Sequence, residues 1–243
     1  MSHNSIKLQE GAFVIADAHY SYKRPQLLQL IKEIHSQKLQ TPQLVLMGDI
    51  FDALFGGVAY TQTTNEEIVR LIDEISKKIE VIYLEGNHDF NLKNIFKSAR
   101  VVPIKEQPIA CVFEDKKVYL SHGDFDGGRG YEIYTSIIRN SGVLFCLKTI
   151  DNLIGHKILK KLDAYLEKKD DCNEFSNFSE YTKRRLEGKF KCDFFVEGHF
   201  HQNKTFKIDN FEYTNLAAFA CNQRYFIVNS SKENRLLKEV KIS

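Results

Sequence analysis

Five times in this 243-residue chain a short apolar run is followed at once by side chains of the metal-ligating kind. Ala12–Ala16 (AFVIA) runs into Asp17-Ala18-His19, and Gln43–Met47 (QLVLM) into Gly48-Asp49-Ile50-Phe51-Asp52. Val81–Leu84 (VIYL) leads to Gly86-Asn87-His88-Asp89, Val118–Leu120 (VYL) to His122-Gly123-Asp124, and Asp193–Val196 (DFFV) to Gly198-His199-Phe200-His201. Runs this short and this apolar read as buried strands. In an open α/β sheet the carboxyl ends of the strands meet at one crevice, so side chains far apart in sequence are expected to converge there.

Between the strands lie helix-period segments. From Pro25 to Lys38 the residues Leu27, Leu30, Ile31 and Ile34 share one face, with Pro25 suited to the first turn. Thr64-Asn65-Glu66-Glu67 has capping-box spacing ahead of Ile68, Leu71, Ile72, Ile75 and Ile79. The order is βαβαβ. Thr205–Ile208 and Phe211–Asn215 flank an Asp209-Asn210 turn, and Tyr225–Val228 follows, which adds antiparallel strands. The expected class is α/β with a mixed or double sheet, as one domain over residues 1–243.

Residues 130–191 break this rhythm and read as a helical insertion. Tyr131, Tyr134, Ile137 and Ile138 form one apolar stripe, and Ile158, Leu162, Tyr165 and Leu166 another. From Arg129 to Lys169 there are eight Lys/Arg against four Asp/Glu, although the whole chain has Lys+Arg 34 against Asp+Glu 32. Near-neutral overall charge argues against a nucleic-acid partner. Lys157, Lys160, Lys161, Lys168 and Lys169 read as a solvated helix face, with contact to a membrane surface as the alternative. Gly127-Gly128-Arg129-Gly130 matches no phosphate-binding glycine motif and is read as a hinge into the insertion, with Arg129 a candidate phosphate contact. The five cysteines (Cys111, Cys146, Cys172, Cys192, Cys221) are odd in number and contain no C-x-x-C, so neither a disulfide framework nor a zinc knuckle is expected, and a reducing cytoplasm fits. The N-terminus lacks a basic start followed by an apolar region, and no run of 18 apolar residues occurs, so a soluble or peripherally attached protein is expected.

The loop residues suit a pair of divalent ions. A carboxylate bridges two ions naturally, and Asp49 is the candidate bridge. Asp17, His19 and His201 would complete one ion, and Asn87, His122 and His199 the other. The i, i+2 spacing of Asp17-x-His19 and His199-x-His201 places both side chains on one side of an extended segment. Gly48, Gly86 and Gly198 sit where the backbone turns sharply. Oxygen and imidazole donors without thiolate point to Mn²⁺, with Fe or Zn²⁺ as alternatives. Two such ions leave a net positive centre that fits an anionic phosphoryl group and activate water for in-line attack on phosphorus. His88 is free to stabilise the transition state or protonate the leaving oxygen, Asp52 is placed to orient His88, and Asp124 is a hydrogen-bond partner for a ligating imidazole. Asn87, His88 and His199 are the expected substrate contacts. His3, His35 and His156 fall outside these loops and read as surface residues.

The succession D-x-H, G-D-x-x-D, G-N-H-D, H-G-D and G-H-x-H, from Asp17 to His201, resembles the calcineurin-like metallophosphoesterase superfamily. The resemblance implies a four-layer fold with two sheets between helices, hydrolysis of phosphomonoesters, phosphodiesters or pyrophosphates, and the ligand roles given above. Ala53-Leu54 stands where the protein-phosphatase branch has Arg-Gly, and the third motif ends in Asp89 rather than Glu. The short first motif and the helical stretch before G-H-x-H are similar to the UDP-2,3-diacylglucosamine diphosphatase family of lipid A biosynthesis. That resemblance implies a lid that receives acyl chains, an amphiphilic phosphorylated substrate and release of UMP. The chain departs from that family at His88, where an arginine is usual. A phosphodiesterase acting on another small phosphorylated substrate and a non-catalytic scaffold are the alternatives.

Overall fold

The computed structural model describes residues 6–166, 172–230 and 235–242; His3, Lys168 and Lys169 lie outside them. In chain order the elements begin β1 (Ile6–Lys7), β2 (Phe13–Ile15), α1 (Gln26–His35), β3 (Gln43–Leu46), β4 (Leu54–Phe55), α2 (Ala59–Thr63) and α3 (Glu66–Ser76). Then come β5 (Glu80–Leu84), β6 (Asp89–Phe90), β7 (Arg100–Val102), β8 (Ile109–Phe113) and β9 (Lys116–Ser121). Four helices follow, α4 (Gly128–Ile138), α5 (Ser141–Leu153), α6 (Lys157–Leu166) and α7 (Phe178–Leu186). The chain closes with β10 (Phe194–Glu197), β11 (Lys204–Ile208), β12 (Phe211–Asn215), α8 (Phe219–Asn222), β13 (Arg224–Val228) and β14 (Leu237–Lys241).

Two six-stranded sheets result, ordered β14-β13-β2-β3-β5-β7 and β1-β8-β9-β10-β12-β11, with β4 and β6 paired apart from them. β2, β3, β5 and β7 are parallel, as are β9, β10 and β12, while β13, β14, β8 and β11 pair antiparallel. Side-chain alternation along the strands sorts the layers. Phe13, Ile15, Leu44 and Leu46 face Leu27, Leu30, Ile68 and Leu71 of α1 and α3. Their alternates Val14, Val45 and Ile82 pack across the interface on Val118, Leu120 and Val196 of the second sheet. The far face of that sheet, Phe195, Phe211 and Tyr213, receives Phe178 and Leu186 of α7. The sequence helix, sheet, sheet, helix follows from each strand having two apolar faces, and each buried leucine or isoleucine contributes about 1.5–3 kcal/mol.

Local details depart from expectation for identifiable reasons. Thr64 does not start α3, because it is the C-cap of the short α2, and its hydroxyl donates back to the Tyr60 carbonyl at 3.1 Å. The N-cap of α3 is Asn65, whose amide donates to Ala53 O at 3.1 Å and Thr61 O at 2.8 Å instead of capping the helix. Strands β1, β7 and β14 have no apolar alternation long enough to register as strands in sequence; they form by pairing with β8, β5 and β13. Residues 128–166 and 172–186 hold four helices and no strand. Among the described residues no helix is long and apolar enough to cross a membrane.

The cysteine count misled in one respect. Cys172 and Cys221 form a disulfide across 49 residues, leaving Cys111, Cys146 and Cys192 free. Spacing could not reveal it, because the pairing depends on Cys172 lying against α8 in the folded chain. It also removes the cysteine-based argument for a reducing compartment, since such bonds persist mainly where conditions are oxidising. The bond reaches toward the first loop, because α8 donates from Phe219 N to Ala16 O at 3.0 Å and from Ala220 N to Asp17 O at 3.1 Å. Thiol titration of the denatured, unreduced protein is expected to find three reactive cysteines rather than five. Reduction is expected to lower the unfolding free energy by about 4 kcal/mol on the chain-entropy relation for a loop of this size, read as a lower melting temperature.

Candidate metal centre

The loops after β2, β3, β5, β9 and β10 meet at one edge, where the two sheets present their carboxyl ends. Two groups of ligand atoms gather there, Asp17 with His19 and His201, and Asp49 with His122 and His199, each within 4.8 Å of one another. His201 Nε2 stands 3.3 Å from Asp17 Oδ1, and His122 Nε2 stands 3.3 Å from Asp49 Oδ2 and 3.4 Å from Asn87 Oδ1. Asn87 thus joins the second group, and His122 Nδ1 lies 4.0 Å from Asp17 Oδ1, which places the two groups side by side.

The backbone builds this cluster differently from an extended strand. Asp17, His19, Asp49, His199 and His201 all have positive φ, between +43° and +64°. Left-handed residues of this kind cost roughly 1–2 kcal/mol each, and such strain concentrates where function holds it in place. The side chains of Asp17 and His19 reach a common point through this turn rather than through strand alternation. Hydrogen bonds fix it: His19 N donates to Asp49 O at 3.0 Å, His199 N to Asp17 Oδ1 at 2.9 Å, and His88 N to Asp49 Oδ1 at 2.9 Å. Gly48 has φ +87°, and Gly198, with an ordinary φ, is required for close approach, since a Cβ there would lie 2.6 Å from Asp17 Oδ2.

The electrostatics suit cations. Burial pulls the carboxyls of Asp17 and Asp49 upward, but His201 and His122 for Asp17, and His122, His88 and His19 for Asp49, outweigh it and hold both below the ordinary range. Burial opposes a charge on His122, yet Asp49, Asp124 and Asp17 raise its pKa well above the usual value. A divalent ion held by His122 would take the place of that proton, because a ligating imidazole must be neutral. Burial, then the neighbouring His122, push His199 down to about 4, which leaves it neutral at physiological pH. Both nitrogens of His19 and Nδ1 of His199 are buried without hydrogen-bond partners. Unpartnered buried imidazoles beside buried carboxylates are the donor set a pair of divalent ions satisfies, so the residues present fit the ions the sequence implies.

Around the ligands the structure redistributes several roles. His122 Nδ1 is held by the Met47 carbonyl at 2.9 Å, and Asp124 instead accepts the hydroxyl of Tyr131 at 2.6 Å. Asp124 therefore acts on His122 through its charge rather than through a hydrogen bond. His88 Nδ1 rests on the backbone carbonyl of Asp52 at 2.9 Å, while the Asp52 carboxylate faces Arg24 and His19. Arg129 is exposed in the first turn of α4. The guanidinium that approaches the loops from that helix is Arg139, which follows its last residue and donates to Gly86 O at 2.8 Å. His35 pairs with Glu74 at 2.8 Å, and His156 stacks on Tyr60 and contacts Asp151 at 3.1 Å.

Two residues that carry the site had no assigned role in sequence. Asp89 lies within the third motif and accepts from Asp49 N at 3.0 Å, Ile50 N at 2.7 Å, Gly86 N at 2.9 Å and Tyr83 OH at 2.7 Å. Gln107 accepts from His122 N at 2.6 Å and donates to Glu85 O at 2.8 Å. The third motif contained a signal for Asp89; nothing local marked Gln107.

The sequence model for the calcineurin-like phosphoesterase family matches residues 12–203. A protein named UDP-2,3-diacylglucosamine hydrolase from Pseudomonas fluorescens (strain SBW25) is 24% identical over 200 residues, covering 80% of this chain and 80% of its own. One of the same name from Histophilus somni (strain 129Pt) is 24% identical, over 78% of this chain and 83% of its own. Among solved structures, an archaeal phosphodiesterase aligns over 95% of this chain and 99% of its own, with TM-score 0.47 and 13% identity.

Gly48→Ala tests the construction of the site. A Cβ there would sit 2.5 Å from His122 Nδ1, at a φ that disfavours side chains. The variant is expected to lose about 1–3 kcal/mol of stability from strain and displacement. Elemental analysis after dialysis is expected to show a reduced metal content compared with the wild type.

Proposed function

The chain belongs to the calcineurin-like phosphoesterase family, and on that footing we propose that it cleaves the pyrophosphate of UDP-2,3-diacylglucosamine, releasing UMP and 2,3-diacylglucosamine 1-phosphate. That it is a metal-dependent phosphoesterase follows from the family and from the ligand groups described above. The particular substrate is our reading, and one observation carries it. A cavity of about 350 Å³ runs from Asn87 and His88 of the third loop to the apolar sides of the inserted helices, where Ile138, Leu144, Leu159 and Leu162 line it. Polar at one end and apolar along its length, it suits a phosphorylated head attached to acyl chains. The named relatives support the same reading.

Two divalent ions bound here, with Mn²⁺ proposed from the oxygen and imidazole donors, would supply Lewis-acid polarisation of the phosphoryl group and a water nucleophilic at neutral pH. The chain's own residues then orient and protonate. A carbonyl only accepts, so His88 keeps a proton on Nδ1 against Asp52 O. In the imidazolium form Nε2 carries the second proton, and that is the one handed to the leaving oxygen, leaving His88 neutral. Asn87 presents its side chain beside His122 and lines the mouth of the cavity. Phe90 and the inserted helices exclude water from the apolar part.

An exposed apolar face on the same helices supports peripheral contact with the membrane surface where such a substrate resides. Phe145 (66% exposed), Ile150 (50%) and Leu153 (82%) stand outward, and Lys157, Lys160 and Lys161 follow them in sequence. Apolar side chains with cations beside them match an anionic bilayer surface.

With Mn²⁺ and the lipid nucleotide, product analysis is expected to find UMP, and Asp49→Ala to abolish its release. Leu162→Glu places a charge in the cavity and is expected to lower kcat/KM for the lipid nucleotide at least about tenfold relative to kcat/KM for bis-p-nitrophenyl phosphate, the equivalent of about 1.4 kcal/mol. Turnover of the small ester with no UMP from the lipid nucleotide refutes the substrate proposed. In sedimentation, vesicles containing phosphatidylglycerol are expected to carry the protein down, and Leu153→Asp to reduce the bound fraction; no pelleting of the wild type refutes the surface contact.

A further inference from the structure

Arg24 lies five residues beyond His19, immediately ahead of Pro25 at the start of α1. A tight turn brings it back on the first loop, with Arg24 N donating to Ser21 O at 3.0 Å. The loops after β2 and β3 are themselves joined, since Tyr20 N donates to Ile50 O at 2.8 Å and Asp52 N to Tyr20 O at 3.0 Å. This pairing delivers the buried carboxylate of Asp52 between two nitrogen groups. Its Oδ1 accepts from Arg24 Nη2 at 2.9 Å and stands 3.4 Å from Nδ1 of His19. Among the described residues, no other carboxylate lies within 4.0 Å of a His19 nitrogen.

The two functional groups of Asp52 do different work. Its carbonyl anchors His88, and its carboxylate faces His19, so the residue serves two imidazoles through chemically separate atoms. Three carboxylates, Asp17, Asp49 and Asp52, crowd this edge of the fold, and the guanidinium fixes the rotamer of the third. The Asp52 carboxylate is the acidic group beside Nδ1 of His19, and it bears on how that ring is set relative to Asp17 and His201. His122, by comparison, has a backbone carbonyl behind it.

We infer that Arg24 is a positioning residue that acts through Asp52 on His19 and so sets the affinity of one of the two ions, the one shared by Asp17, His19 and His201. The inference rests on the two-ion reading of the site and adds an order to it: arginine, carboxylate, imidazole, metal. It separates the ions, because the side-chain contacts of Arg24 and Asp52 end on the His19 ring, and His19 meets Asp49 only backbone to backbone.

The test measures metal rather than turnover. Mn²⁺ binding to full-length protein is followed by calorimetry, with bound metal counted after dialysis, for the wild type, Arg24→Ala, Arg24→Gln, Arg24→Lys, Asp52→Ala and the pair Arg24→Ala with Asp52→Ala. Arg70→Ala, on the exposed face of α3, serves as a charge control. The wild type is expected to bind two ions. Arg24→Ala and Arg24→Gln are expected to weaken one ion by roughly ten- to hundred-fold, the usual effect of losing a partner behind a ligating histidine, and to leave the other at wild-type affinity. Arg24→Lys recovers part of the loss, because the ammonium pairs with Asp52 without the planar fork. The double variant is expected to be no worse than Asp52→Ala, since both substitutions act through one oxygen. Wild-type affinity for both ions in Arg24→Ala and Arg24→Gln overturns the inference, as do losses that add in the double variant, or equal weakening of both ions. If the wild type itself binds no Mn²⁺, the two-ion reading fails, and the inference falls with it.

Discussion

The carboxylate of Asp89, wholly buried, is the constraint that holds the centre together. Backbone donors from Asp49, Ile50 and Gly86 and the hydroxyl of Tyr83 converge on its two oxygens. The loops after β3 and β5 are thereby pinned to one side chain. Burial and the nearby charge of Asp49 push the Asp89 carboxyl up to about 7, against the hydrogen bonds from Tyr83 and Gly86 that favour its ionised form. An amide in its place would turn a donor toward donors, and each buried group left unpaired costs about 1–3 kcal/mol. Asp49 is fixed by its own amide on Asp89 and by His88 N on its side chain, so the candidate bridge between the ions inherits its position from a residue that touches neither.

The same logic connects helices α4 and α7 to the chemistry. Arg139 extends from α4 to the Gly86 carbonyl and accepts the side-chain amide of Asn91 on its own carbonyl at 2.9 Å. Arg185 of α7 pairs with Glu197, the residue before Gly198-His199, and with Asp126 at 3.1 Å, while Tyr213 donates to Glu197 at 2.9 Å. Guanidinium groups at the end of α4 and in α7 therefore clasp the loops that carry Asn87, His88 and His199. The left-handed conformations of the candidate ligand residues are held by hydrogen bonds between the loops, among them His19 N to Asp49 O and His199 N to Asp17 Oδ1.

Where the reading of the sequence held, the information was local. The runs beginning at Phe13, Gln43 and Phe194 are strands because apolar residues continue until a ligand or glycine interrupts them, and α1 forms where Leu27, Leu30, Ile31 and Ile34 share a face. The hairpin at Asp209-Asn210 was visible as a turn between two strand-like runs. Where it did not hold, the deciding partner was distant. Thr64 has capping-box spacing, yet its hydroxyl belongs to α2; Cys172 is bonded to a cysteine 49 residues on; Asp124 is taken by Tyr131. β1 and β14 carry too few apolar residues to signal a strand and exist by virtue of a neighbour.

The sequence by itself determined which residue types would gather and in what order along the chain, because each ligand follows an apolar strand whose end must lie at the sheet edge. Tertiary structure alone decided which acid serves which imidazole. Asp52 turns its carboxylate to His19 and only its carbonyl to His88, because Arg24 and the Tyr20 backbone hold it so. Hydrogen bonds are directional over a few tenths of an ångström. Left-handed turns at five ligand positions swing the side chains through angles that no residue spacing encodes.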